Sequence, residues 1–89
     1  MDVNNLIVFN YWGRSSACET LDEFIENFDT LKILDLCRMF IKNSRVKEEL
    51  FYKKPQNNAI SLLERLREKL QLANHISEIT KIIKQVKGY

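Results

Sequence analysis

Between residues 58 and 86 the apolar side chains recur every three or four positions, twice in succession. Ile60, Leu62, Leu63, Leu66 and Leu70 make the first set, set off by Glu64, Arg65, Arg67, Glu68 and Lys69; Ile76, Ile79, Ile82, Ile83 and Val86 make the second. That interval places the apolar groups on one side of an α-helix, so the stretch predicts two consecutive amphipathic helices. Such a stripe is stable only when another element covers it. The rest of the chain must supply the cover, and this requirement constrains the fold more than any other feature.

The best cover is residues 31–41. Leu31, Ile33, Leu34, Leu36, Cys37, Met39, Phe40 and Ile41 are apolar nearly all round a helix, the pattern of a central element touched on several sides. Asp35 and Arg38 are its polar exceptions and need partners or water wherever they are buried. Upstream, Ser16-Ala17-Cys18-Glu19 has the capping-box form, predicting a helix that starts there and continues through Leu21, Phe24, Ile25 and Phe28. A break near residues 27–30 with Asp29 capping the next helix is expected, and one long helix over 17–42 is the alternative. Ser44 is placed to cap a short helix with Val46, Leu50 and Phe51 inward, ending before Pro55. Residues 53–58 read as a polar loop, and Leu72, Ala73 and Asn74 as the separator of the two helices.

Residues 6–12 are the one place where strand and helix compete. Leu6, Ile7, Val8, Phe9, Tyr11 and Trp12 have strand propensity, but no second strand is evident to pair with them. They are expected as a short helix or an extended arm, with Trp12 packed on the bundle and a turn over residues 13–16. Only two Gly and one Pro in 89 residues also speak for few helices joined by short loops rather than many β-turns. The expected fold class is therefore all-α, a compact bundle of four to six short helices. Residues 1–89 make one helical domain, 1–15 an arm or short helix and 16–89 the bundle.

Charge is unevenly spread although the net value is only +2. Acidic residues outnumber basic ones seven to four over residues 1–43, and basic residues lead ten to five over 44–89. Two solvated faces of one bundle account for this, and so does a pair of complementary patches that steer like domains together head to tail. Arg65, Arg67, Lys81, Lys84 and Lys87 make a candidate basic face for phosphates. Glu64, Glu68 and Glu78 interrupt it, and no aromatic side chain is interleaved for base stacking, so nucleic acid is not the expected partner.

Catalytic patterns are lacking. One His and two separated Cys match no metal-ligand spacing, two Gly build no phosphate-cradling loop, and neighbouring carboxylates such as Glu48 and Glu49 diverge on a helix. His75 reads as a helix-start residue, Cys37 as a small core residue, and Cys18 as a first-turn thiol with some exposure. No enzyme, cofactor or metal is expected. Leu6 to Phe9 is too short to cross a bilayer and follows no basic segment, so no membrane is expected and the setting is cytoplasmic or nuclear.

Residues 59–72, AISLLERLREKLQL, resemble the fourth helix of death effector domains, which has the form LFxxLxxKxxL before a short capped loop. Residues 76–86, ISEITKIIKQV, are similar to the fifth helix of that family, LxxLxxLLxxI. Leu31-Lys32-Ile33-Leu34 resembles the LKFL of its second helix, and Leu36-Cys37 followed by Ile41 echoes the residues beyond. The chain departs from the family at Lys87-Gly88-Tyr89, where an RxDL sequence opens a sixth helix. The resemblance implies a protein–protein interaction adaptor that assembles by homotypic contacts as a homo-oligomer. Ile33 and Leu34 would then be an exposed apolar pair entering a groove on a like domain, with Asp35 beside them. The apolar pattern by itself places both in the core.

Residues 46–50 and 59–69 also resemble the N-terminal domain of transcription elongation factors and the related integrase-binding domain, which are five-helix bundles. Their closing WK is absent here, and their last helix spaces its apolar residues differently. That likeness implies a transcription or chromatin factor docking a disordered acidic peptide in loops near Phe28 and Asp29 and near Leu70 and Leu72.

Overall fold

Asp29 sets the direction of the central helix. Its carboxylate accepts the Leu31 N–H at 2.9 Å, so the chain turns out of one helix and into the next, α1 (Leu21–Asn27) and α2 (Thr30–Lys42). The computed structural model describes residues 7–11 and 13–88, with Tyr11, Arg14 and Ser16 as backbone only. The remaining elements are β1 (Ile7–Tyr11), β2 (Arg14–Cys18), α3 (Arg45–Leu50), α4 (Pro55–Leu70) and α5 (Ala73–Lys87). Among the described residues, five helices and one two-stranded sheet form an all-α compact bundle with a hairpin attached. Its radius of gyration is 12.1 Å, which is the ~12 Å expected of a folded chain this long.

α4 and α5 are the antiparallel pair foreseen from the twin stripes, joined by a tight turn in which Gln71 takes φ of 33°. Leu62, Leu63 and Leu66 from α4 and Ile79, Ile82, Ile83 and Val86 from α5 are all buried. α2 covers them with Ile33, Leu34, Leu36, Cys37 and Phe40, and also packs on α3. The break at residues 28–29 is where it was expected; the single long helix is not formed.

The N-terminal region departs from expectation. Residues 7–11 are neither helix nor solitary arm but one strand of an antiparallel hairpin, with Ile7 opposite Cys18 and Tyr11 opposite Arg14. Gly13, at φ +72°, adopts the left-handed backbone that lets the chain return within two residues. The partner strand, RSSAC, has no β-branched or aromatic residue, and for that reason it carries no strand pattern of its own. Ile7, Phe9 and Cys18 face the core, and Ile7 also bridges to Phe51. Phe9 packs against Phe28 and Phe24 with ring centroids 4.4 and 5.5 Å away, tying hairpin to α1. Trp12 and Leu6 lie outside the described residues.

Pairing with β1 also consumes the segment expected to open α1. Ser16 belongs to β2, and the cap falls one turn later at Thr20, whose Oγ1 accepts the Glu23 N–H at 3.1 Å. The Glu23 carboxylate in turn accepts the N–H of Glu19, the residue before the cap, at 3.2 Å, so T-x-x-E takes the place of the expected S-x-x-E with its returning bond shifted by one residue. Cys18, expected with some exposure in a first turn, is only 2% exposed. Two further boundaries move. Ser44 makes no side-chain cap; Asn43 Oδ1 accepts the Arg45 N–H instead, at 3.0 Å. The 53–58 loop is shorter than expected because α4 starts at Pro55, whose missing N–H is harmless in a first turn. Asn58, placed in that loop from sequence, is buried and donates to the Lys53 carbonyl at 2.7 Å.

Candidate protein-binding surface

α2 and α5 lie side by side, packed through their buried faces, and one polar contact links their exposed edges. Arg38 of α2 donates from Nε and Nη2 to the two carboxylate oxygens of Glu78 on α5, at 2.6 and 2.8 Å. Arg38 also pairs with Asp35 one turn earlier. These hydrogen bonds hold the Glu78 carboxyl below the usual glutamate range, burial opposing them, and they raise the Arg38 guanidinium further above its already high value. The two polar exceptions of α2 are thus exposed and mutually engaged rather than buried.

Beyond this clamp the helices part into an open groove of about 340 Å³. Its floor is Ile41 and Ile82; Lys42 and Lys81 stand on its two rims, and Gln85 lies farther along α5. Ile41 is 44% exposed although it flanks the buried side of α2. A second polar junction lies where the start of α4 meets the end of α5. Gln56 donates to the Val86 carbonyl and accepts from Lys47 Nζ at 2.7 Å. This junction gathers Lys47, Lys53, Lys54 and Lys87 at one end of the bundle, beside Glu48 and Glu49 of α3. The acids Glu19, Asp22, Glu23, Glu26 and Asp29 surround α1, and no basic residue occurs from residue 15 to 31.

The residues singled out from sequence separate. Ile33 and Leu34 are 0 and 1% exposed, so the exposed pair implied by the death-effector resemblance is not formed. Both point from α2 into the core, as the apolar pattern alone indicated. Asp35 is exposed and bound to Arg38. Leu70 is half-buried against the core, while Leu72 in the following turn is 59% exposed.

The candidate basic face is divided in the same way. Arg65 reaches Asp22 on α1 at 2.6 Å, and Arg67 leans the other way toward Thr80 on α5 at 3.4 Å. Lys81, Lys84 and Lys87 remain exposed on α5. Ile41, Lys42, Arg38 and Gln85 acquire significance only through the α2–α5 alignment, for which the spacing within either helix holds no signal.

Chemistry-bearing groups do not converge. Among the described residues no three His, Cys, Asp or Glu side chains lie together as a metal site. Cys37 is buried, which pushes its thiol far above the ordinary range and away from the reactive thiolate. His75 is in the first turn of α5, half-buried, with Nδ1 enclosed and lacking a hydrogen-bond partner. Among the described residues no helix is long and apolar enough to cross a membrane. No family model matches the chain, and neither does any curated protein or solved structure.

Proposed function

We propose that this chain is a non-enzymatic protein–protein interaction module, an adaptor that assembles with domains of its own fold. The observation that carries this reading is the segregation of charge onto different elements. Five acids surround α1 with no cation among them in sequence and Asp22 paired with Arg65 of α4, while four lysines gather where α3, α4 and α5 meet. Fields of opposite sign on separate patches attract a second copy in a head-to-tail arrangement, which is heterologous and extends beyond a dimer. The two buried, unpaired cysteines suit a reducing interior, cytoplasmic or nuclear.

Light scattering and sedimentation over a concentration series test the reading. Self-association at low salt that weakens as ionic strength rises supports it, because exposed charges are screened beyond ~8 to 10 Å at physiological salt. Glu19→Lys with Glu26→Lys should abolish association, as should Lys53→Glu with Lys54→Glu. Mixing the two reversed proteins should restore it. A protein that stays monomeric at every concentration and salt sinks the proposal.

A further inference from the structure

We infer that the groove between α2 and α5 docks an acidic amphipathic segment from a different protein, a helical turn whose aliphatic anchor is flanked by carboxylates. The inference rests on the reading of this chain as a protein-binding module but not on its self-assembly.

The floor requires an apolar occupant. Ile41, almost half exposed, stands beside Ile82, which is itself buried, and a side chain laid against them removes the exposed face of Ile41 from water. The size requires a small anchor. About 340 Å³ is near the lower end for ligand cavities, and the groove is open along its length, so it suits one or two side chains of a longer segment.

Charge then selects the flanks of that segment. Arg38 is compensated by Glu78 and Asp35, which leaves Lys42 and Lys81 as the groove's uncompensated charges, one on each rim. Glu78, the one acid lining the groove, has both carboxylate oxygens taken by Arg38 and offers little repulsion to an incoming acid. A second copy is poorly suited as occupant. Its acidic element, α1, has Leu21, Phe24 and Ile25 all buried, so it presents carboxylates without an anchor.

Random peptides displayed against the whole chain test the inference, with selection repeated on the Lys42→Glu/Lys81→Glu variant. Wild-type protein should enrich peptides in which Asp or Glu flanks Leu, Ile or Phe. Labelled copies of these peptides should shift backbone amide resonances around Ile41, Lys42, Lys81 and Ile82. Their affinity, read by fluorescence anisotropy, should fall at least about tenfold in the double variant and in Ile41→Ser. Both variants should retain the wild-type circular dichroism melt, and Lys53→Glu/Lys54→Glu should bind the peptides normally. No enriched acidic motif, resonance shifts centred elsewhere, or binding indifferent to the rim lysines would each overturn the inference. Self-association without groove binding removes this inference alone; groove binding by a strict monomer removes only the self-assembly reading.

Discussion

Arg38 and Glu78, forty residues apart in sequence, meet through two parallel hydrogen bonds that link α2 to α5. The pair lies at the surface, with side chains 44 and 35% exposed, so solvent screens it and its net contribution is ~0.5 to 1 kcal/mol. A double-mutant cycle with Arg38→Ala and Glu78→Gln, followed by urea denaturation, should return a coupling of that size that shrinks in high salt. The pH dependence has a definite sign. Because Arg38 depresses the folded-state value of Glu78, the stabilisation is complete above the ordinary glutamate range and is lost as pH falls through the depressed value. Glu78→Gln should therefore flatten the acid limb of the stability curve below about pH 4.3.

Thr20 rather than Ser16 caps α1. Thr20→Ala removes the acceptor of the Glu23 N–H and should cost about 1 kcal/mol in chemical denaturation. Asp29→Ala, which removes the acceptor of the Leu31 N–H at the start of α2, should cost a similar amount. A Thr20→Ala protein as stable as wild type would contradict this start of α1.

Core and surface positions of α2 should respond in opposite ways. Ile33 and Leu34 are buried and Leu31 is 49% exposed. Ile33→Ala should cost roughly 2 to 5 kcal/mol, whereas Leu31→Ala should stay within about 0.5 kcal/mol. Ile33→Asp should unfold the domain, because an unpaired carboxylate in the core is far costlier than the lost methyl groups.

Lys54 and Gln71 hold left-handed backbone at φ of 49° and 33°. A side chain there crowds the carbonyl, so Lys54→Gly and Gln71→Gly should each raise the melting temperature, with gains of a few tenths to about 1 kcal/mol. Alanine at the same positions should give no such gain.

Both cysteines are buried and free. Labelling by a disulfide reagent at neutral pH should be slow, with two thiols released together as urea unfolds the domain. Rapid labelling of Cys18 in the native state would show that the hairpin opens locally while the bundle stays folded.

Legibility followed the range of the interactions. The α4 and α5 stripes and the apolar wheel of α2 were plain in the sequence, because each arises from neighbours within one or two helical turns. The Asp29 cap was visible, but one long helix over 17–42 stayed open beside it until the structure showed the break. The hairpin was not plain, because the Arg14–Cys18 strand has no β-branched or aromatic residue and acquires its conformation from pairing with β1. Ser16 and Thr20 both stand before a glutamate at the capping interval, and only the demand of β1 for a partner decides between them. The candidate surface was the least legible part, since Lys42 and Lys81 become two rims of one groove only once α2 has packed against α5.

By itself the sequence determined that this chain folds as a helical bundle around α2, α4 and α5, because apolar periodicity on three helices leaves burial against one another as the favourable outcome. Tertiary structure alone decided which residues stay outside. Ile33 and Ile41 are equally apolar, yet one is enclosed and the other borders an open groove. That difference depends on where α5 lies against α2, a contact between distant segments that no local pattern encodes.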